Sequence, residues 1–299
     1  DANGDRYSNI EQVNGSDFAD ILIGGAGSEL LFGDDGNDFL VGGAGADVIN
    51  GGAGFDVLSF YNAGSGVRVD LGRGTGVGGE AEGDLLLNIE QVNGSAFNDI
   101  LIGSEADNIL FGDEGADFLN GRGGADILNG GGGVDKASYY NSLAAVNINL
   151  SSGLGSGGDA EGDLLNNIEQ VDGSAFNDTL IGSGDADQLF GGEGADDLYG
   201  LGGADTLLGG RGSDDLDGGA GADVYLFRLA DDAGGAEDNV LSFEQGLDLI
   251  DLSEFGYSSV SDLTLQDVAG AARIVLDNSV IDIEGVAASA LSDADFIFA

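Results

Sequence analysis

Aspartate recurs at every ninth residue through three stretches of this chain, and no other side chain is so regularly placed to do chemistry. From Gly24 the sequence runs GGAGSELLF, GDDGNDFLV, GGAGADVIN, GGAGFDVLS. From Gly103 it runs GSEADNILF, GDEGADFLN, GRGGADILN, GGGGVDKAS, and from Gly182 GSGDADQLF, GGEGADDLY, GLGGADTLL, GGRGSDDLD, GGAGADVYL. The sixth positions of these nonamers are Glu29, Asp38, Asp47, Asp56, then Asn108, Asp117, Asp126, Asp135, then Asp187, Asp196, Asp205, Asp214 and Asp223. Paired carboxylates can act as general acid and base. A catalytic pair is unique in a protein, whereas these recur, so the pattern favours ligation of a hard cation. The glycine loops lack the lysine of a phosphate-binding loop. Lys136 and the scattered arginines form no basic patch.

The nonamer itself says what must position these carboxylates. Its first six positions form a tight turn in which glycine permits positive φ and bares the main-chain carbonyls. Its last three form a short strand with position 8 facing inward. Position 8 reads Leu31, Leu40, Ile49, Leu58, Leu110, Leu119, Leu128, Leu189, Leu198, Leu207 and Leu216, with Ala137 as an exception. One strand and one turn cannot bury an apolar face alone. Two nonamers therefore make one coil of an all-β parallel solenoid, a β-roll or β-helix, whose coils stack at roughly 4.8 Å. Each aspartate then lies beside the one two nonamers later, and such a ladder is repulsive unless a cation separates its members.

A longer repeat of 79 residues is superimposed. Asn-Ile-Glu-Gln-Val starts at Asn9, Asn88 and Asn167, each time leading into a half-nonamer that ends at Asp20, Asp99 or Asp178. Those half-nonamers carry Phe18, Phe97 and Phe176 where a loop glycine belongs, and read as hydrophobic plugs rather than cation sites.

The nonamers resemble the glycine-rich repeats of RTX proteins, a Ca²⁺-binding β-helix repeat with the pattern Gly-Gly-x-Gly-x-Asp-x-aliphatic-x. The resemblance spans roughly residues 9–226 and implies Ca²⁺ between loops two nonamers apart. Carried over by position, the carboxylate pairs are Asp38 with Asp56, Asp117 with Asp135, Asp187 with Asp205, Asp196 with Asp214, and Asp205 with Asp223; Asp47 and Asp126 occupy the same loop position. The implied carbonyl ligands are those of Gly43, Gly45, Gly52, Gly54, Gly131, Gly133, Gly192, Gly194, Gly210, Gly212, Gly219 and Gly221. Glu29 and Asn108 depart from the pattern and mark weak loops.

This gives a solenoid over 1–226, with nonamer blocks at 24–59, 103–138 and 182–226 and wider inter-block coils at 60–93 and 139–172. Residues 227–299 alternate as further strands, with a hairpin turn at Asp277-Asn278-Ser279, and read as a β-rich cap closing the last sheet edges. The Phe243 to Ser253 motif and the ending Asp295 to Ala299 resemble the C-terminal regions and uncleaved type I secretion signals of RTX exoproteins. Positions 7 and 9 should point outward yet are apolar at Ile21, Ile23, Leu30, Phe32, Phe39, Val41, Ile100, Ile102, Ile109 and Phe111. Either the inter-block segments fold over this face or another molecule covers it. Phe32, Phe111 and Phe190, spaced by the long repeat, would then form one row of aromatic knobs.

Composition narrows the function. There are 55 acidic residues against 8 basic ones, a net charge of −47, which repels nucleic acid and anionic membranes. No Cys and no His removes disulfides, thiolate sites and the commonest general base. No apolar run is long enough to span a membrane. With 42% hydrophobic residues the chain is not of disordered composition. A start at Asp1 without any Met reads as part of a longer product. The resulting expectation is a secreted, non-enzymatic, calcium-binding component of a surface layer, matrix or adhesive structure. Its partners would be calcium, and by self-association or recognition another surface protein or polysaccharide. The alternative is the non-catalytic tail of a secreted protease, lipase or alginate epimerase.

Overall fold

Glycine at the turns and a single large aliphatic residue per strand dictate a roll only one side chain deep. In the strand Phe39–Val41 the central Leu40 is buried and its neighbours are half-exposed. The same pattern recurs at Leu101, Leu180, Leu198 and Leu216, and at Leu22 with fully exposed neighbours. The computed structural model describes residues 10–231 and 235–299. It divides into two units, Asp1–Asp135 and Lys136–Ala299. The described residues are all-β apart from short 3-10 turns, and each unit is a β-roll of two long sheets, the second unit adding a two-stranded pair of Gly202–Gly203 with Ala220–Gly221.

In the first unit one sheet runs Gln12–Ser16, Leu30–Asp35, Val48–Ala53, Leu85–Leu87, Thr75–Val77, Arg68–Asp70, Ile100–Ile102, Phe118–Asn120. The other runs Ile21–Ile23, Phe39–Val41, Val57–Ser59, Gln91–Asn93, Ile109–Gly115, Ile127–Gly133. Nonamer strands pair in parallel at an offset of two nonamers, as Leu31 with Ile49, Leu40 with Leu58, and Leu110 with Leu128. The aliphatic ladder expected from position 8 is therefore the core.

Residues 60–93 do not make a wider coil of the same polarity. A tight turn closed by the Gly74 N–H donating to the Leu71 carbonyl at 3.1 Å, with Gly74 at φ +66°, reverses the chain. Thr75–Val77 therefore runs antiparallel between Arg68–Asp70 and Leu85–Leu87. The outer two strands rejoin the parallel ladder through Val48–Asn50 and Ile100–Ile102. In the second unit Gly153, at φ +68°, makes the same turn. There Asn147–Asn149, Leu154–Ser156 and Leu164–Asn166 form the matching meander.

These meanders enter the sheets and do not cover their outer faces, which removes the first of the two alternatives for the apolar outer positions. Ile21 and Ile23 stay exposed. Phe32 is half-buried between Asn14 and Asn50 in its ladder, and Phe111 between Asn93 and Asn129. A single row of aromatic knobs is also ruled out, because the long repeat makes an odd number of passes. Gln12–Ser16 and its 79-residue counterpart Gln91–Asn93 lie in opposite sheets, and so do Phe32 and Phe111.

The second unit has one sheet of Lys136–Ser138, Gln170–Asp172, Gln188–Glu193, Thr206–Arg211, Val224–Leu226, Leu249–Asp251 and Phe296–Ile297. The other begins with the meander and continues through Thr179–Ile181, Asp197–Tyr199, Asp215–Asp217 and Glu237–Leu241. It ends in Val280–Glu284, Ala271–Val275 and Thr264–Val268, joined antiparallel, with residues 276–279 making the expected hairpin turn.

Candidate metal centre

Stacking at the two-nonamer offset brings the sixth-position carboxylates together through the backbone. The Asp38 N–H donates to Asp56 Oδ1 at 2.8 Å, and the Asp117 N–H to Asp135 Oδ1 at 2.8 Å. The same bond joins Asp187 to Asp205, Asp196 to Asp214, and Asp205 to Asp223, at 2.8, 2.9 and 2.9 Å. Glu29 and Asn108 donate to Asp47 and Asp126 in the same way. One carboxylate oxygen of each pair is thus fixed by main chain. The second oxygen decides the chemistry.

Two kinds of loop treat that oxygen differently. In the loops ending at Asp20, Asp99, Asp178 and Asp187, position 2 is serine, and its N–H donates to Oδ2 of that same aspartate at 2.5–2.7 Å. The serine hydroxyl adds a further bond. Ser104 does the same to Asn108, and the Gly25 N–H reaches Glu29. In the remaining ten loops positions 2 and 4 both have positive φ, for example Gly43 and Gly45 at +86° and +132°. There the turn points its N–H groups elsewhere. Oδ2 of Asp38, Asp47, Asp56, Asp117, Asp196, Asp205, Asp214 and Asp223 is buried without any hydrogen-bond partner.

An orphaned buried carboxylate oxygen is costly, and its repetition at one loop position is a fit to a bound hard cation rather than an accident. A main-chain carbonyl lies close to such an oxygen, since a Cβ on Gly33 would meet both Asp38 Oδ2 and the Gly51 carbonyl. A Cβ on Gly52 would collide with the Asp34 carbonyl, and one on Gly54 with the Gly36 carbonyl, so these positions need glycine for space as well as for φ. Among the described residues no group of three or more carboxylate side chains converges. Main-chain carbonyls must therefore supply most of the oxygens around any ion. Gly131, Gly133, Gly192, Gly194, Gly210, Gly212, Gly219 and Gly221 all share the positive φ of this turn.

Electrostatics agree with the geometry. Burial, reinforced by neighbouring carboxylates, pushes the Asp196 carboxyl up to about 8 and that of Asp117 up to about 7. Asp205 and Asp214 rise to about 6 for the same reasons. Burial also raises Asp47, Asp56, Asp135, Asp187 and Asp223. Without compensation, a bare charge at these sites is costlier than on the same group in water.

Three sequence expectations change here. Asp187 stands apart from the other sixth-position candidates, because Ser183 already occupies its Oδ2. Phe18, Phe97 and Phe176 are not plugs: all three rings are exposed, Phe18 at 77%, because each sits at the solvent tip of its loop. The ladder also extends beyond the nonamers to residues the periodicity missed. The Asp47 N–H donates to Asp84 Oδ1, the Asp56 N–H to Glu90 Oε2, the Asp214 N–H to Asp238 Oδ1, and the Asp223 N–H to Asp248 Oδ1. Glu90 belongs to the recurring Asn-Ile-Glu-Gln-Val motif, so the long repeat did carry its signal.

The nonamers match the family described as RTX calcium-binding nonapeptide repeat (4 copies), over residues 8–40, 23–58, 88–119, 102–137, 166–198 and 190–225, more than half of the chain. A comparison with curated proteins returns no match. Among solved structures the chain is similar to the extracellular lipase LipA from Serratia marcescens, at 21% identity and a TM-score of 0.31. That similarity covers 68% of this chain and 40% of the lipase chain, so less than half of the lipase is spanned. It is also similar to the AlgE6R3 and AlgE6R2 subunits of the Azotobacter vinelandii mannuronan C5-epimerase, at 33% and 30% identity. These cover 42% of this chain and 79% and 90% of the subunits, each with a TM-score of 0.36. Its nonamers place the chain in the RTX calcium-binding nonapeptide repeat family, as a calcium-binding β-roll module.

Proposed function

We propose that this chain is an extracellular, calcium-dependent β-roll with no catalytic activity of its own, serving as a structural component of a surface layer, matrix or adhesive coat and exported by type I secretion. The observation that carries the calcium reading is the recurrent buried Oδ2 without a partner in the loops with positive φ at positions 2 and 4. The ligands would be Asp38, Asp47, Asp56, Asp117, Asp126, Asp135, Asp196, Asp205, Asp214 and Asp223, with carbonyls of the glycine turns. Asp187 contributes least, since Ser183 satisfies it. A bound Ca²⁺ supplies the positive charge that the stacked carboxylates lack.

The structural role is supported by repetition: the acidic chemistry is spread evenly along the roll and concentrated nowhere. Residues 227–299 would act as the cap. Tyr225 takes the place of the inward leucine between Leu207 and Ile250, packs its ring 6.0 Å from Phe243, and accepts the Gly218 N–H at 2.9 Å, so the inward column runs on into this segment and closes at Phe296. The Asp295 to Ala299 ending would be the export signal. Circular dichroism during Ca²⁺ titration tests the calcium reading, with strand signal expected to grow with the ion and to be lost in excess chelator. Strand signal that is unchanged by chelator overturns it.

A further inference from the structure

Outside the nonamers, the first meander carries a carboxylate with the same two-oxygen signature as the repeat aspartates. Asp84 immediately precedes Leu85–Leu87, which pairs with Val48–Asn50 and so sets Asp84 one coil beyond Asp47. The Asp47 N–H donates to Asp84 Oδ1 at 2.9 Å, just as the Asp38 N–H donates to Asp56 Oδ1. The separation is 37 residues instead of 18, which hides the relation from any nine-residue period. Asp84 is 3% exposed and Asp47 1% exposed, and Oδ2 of each is buried without a partner. No arginine or lysine forms an ion pair with either among the described residues.

The second meander shows how the same place is closed by protein alone. Its counterpart of Asp84, 79 residues on, is Asp163, whose Oδ2 accepts the Tyr139 hydroxyl at 2.9 Å. The counterpart of Tyr139 in the first meander is Phe60, equally buried but without a hydroxyl. The surrounding backbone is alike in both: 3-10 turns at Gly79–Ala81 and Gly158–Ala160, and left-handed Gly78 and Gly157 at φ +78°. The difference at this point is a single oxygen atom.

We infer that Asp84 and Asp47 together hold a Ca²⁺ ion that lies outside the nonapeptide pattern, and that Phe60 leaves this site open where Tyr139 closes its counterpart. The inference rests on the calcium reading above but adds a ligand from a segment with no nonapeptide sequence. Native mass spectrometry of the full chain in Ca²⁺, with circular dichroism to verify folding, counts the ions. Asp84→Asn keeps an Oδ1 acceptor for the Asp47 N–H and is expected to bind one ion fewer than wild type. Phe60→Tyr is expected to lose the same ion by offering its hydroxyl to Asp84 Oδ2, while Tyr139→Phe leaves the Asp84 site loaded. A folded Asp84→Asn chain with the wild-type count overturns the site, as it would if Asp84 simply held a proton. A Phe60→Tyr chain with the wild-type count overturns the role of Phe60. A wild type that binds no calcium overturns the family reading instead, so the two failures are distinguishable.

Discussion

Substituting one aspartate from each kind of loop separates metal ligation from structural hydrogen bonding. Asp205 accepts the Asp187 N–H on Oδ1, donates its own N–H to Asp223, and leaves Oδ2 buried and unpartnered. Asp205→Asn keeps the Oδ1 acceptor and removes only the charge and the second oxygen. Its main expected effect is on the ion: a Ca²⁺ midpoint raised at least tenfold, since even outer-shell changes at metal sites cost about 10–100-fold. Asp205→Ala also strands the buried Asp187 N–H, adding roughly 1–3 kcal/mol of destabilisation. Asp99 is the contrast. Its oxygens accept the Val67 N–H at 2.7 Å, the Ser95 N–H at 2.5 Å and the Ser95 hydroxyl at 2.9 Å. In Asp99→Asn an amide nitrogen must face one of these N–H donors. The cost should appear as a lower thermal midpoint in saturating Ca²⁺, with little change in the number of ions bound. Calcium titration and melting, both followed by circular dichroism, read the two effects separately. Equal shifts of the calcium midpoint in Asp205→Asn and Asp99→Asn would refute the distinction between the loops.

Leu201 holds the left-handed turn position at φ +73° where most loops have glycine. Leu201→Gly should relieve a strain of about 1–2 kcal/mol, offset in part by glycine's freedom in the unfolded chain, and raise the melting temperature by a few degrees; a fall would contradict the assigned turn. Gly54→Ala, at φ +144° against the Gly36 carbonyl, should prevent calcium-driven closure of its loop, whereas Gly64→Ala, with open space around it, should melt as wild type does. In the metal-free chain the raised carboxyls of Asp84, Asp117, Asp196, Asp205 and Asp214 bind protons more tightly folded than unfolded. Their contribution to stability is therefore fully present below about pH 4 and drains away as pH rises through about 6 to 8. Chelator-treated protein should gain strand signal on acidification, and an apo chain equally unfolded at pH 4 and pH 8 would count against this. Deleting Asp295 to Ala299 removes the strand Phe296–Ile297 from its pairing with Leu249–Asp251 and uncovers Ile250. Secretion should fail and the purified roll should still fold in Ca²⁺, at a cost of about 1.5–3 kcal/mol for the lost Phe296 burial, and normal export would refute the signal.

Much of this was legible because a nine-residue turn-and-strand unit has few ways to fold. The inward column of Leu31, Leu40, Ile49 and Leu58 and the two-nonamer offset follow from strand alternation and from glycine at the turn. The meanders were less legible because their direction depends on turns of a few residues at Gly74 and Gly153. Alternation of apolar residues looks the same in parallel and antiparallel strands. Asp187 was open to a finer reading: Ser183 at the second loop position, like Ser95 and Ser174, announces an N–H and a hydroxyl that close on the aspartate. Asp84 left no such trace, since its partner Asp47 lies at a spacing set by the meander and not by the repeat.

The same geometry links the glycine turns of this sequence to the calcium sites proposed above. A strand such as Phe39–Val41 buries one side chain, so each nonamer gains little apolar burial while ordering a glycine turn of high chain entropy. What holds successive turns together is close backbone approach, which a Cβ at Gly52 or Gly54 would block, and which aims the carbonyls of Asp34 and Gly36 into the next coil. Carbonyl oxygens and buried Asp Oδ2 atoms brought so near one another are mutually repulsive until a cation joins them. The serine loops avoid the difficulty by turning an N–H and a hydroxyl onto the carboxylate, and Tyr139 does the same for Asp163. Ion and hydroxyl are alternative answers to one buried oxygen. Ser16, Ser95, Ser104, Ser174, Ser183 and Tyr139 therefore mark where a carboxylate or amide oxygen is satisfied by protein alone, and on the proposed reading the loops with an unpartnered Oδ2 are those whose folding would be tied to calcium.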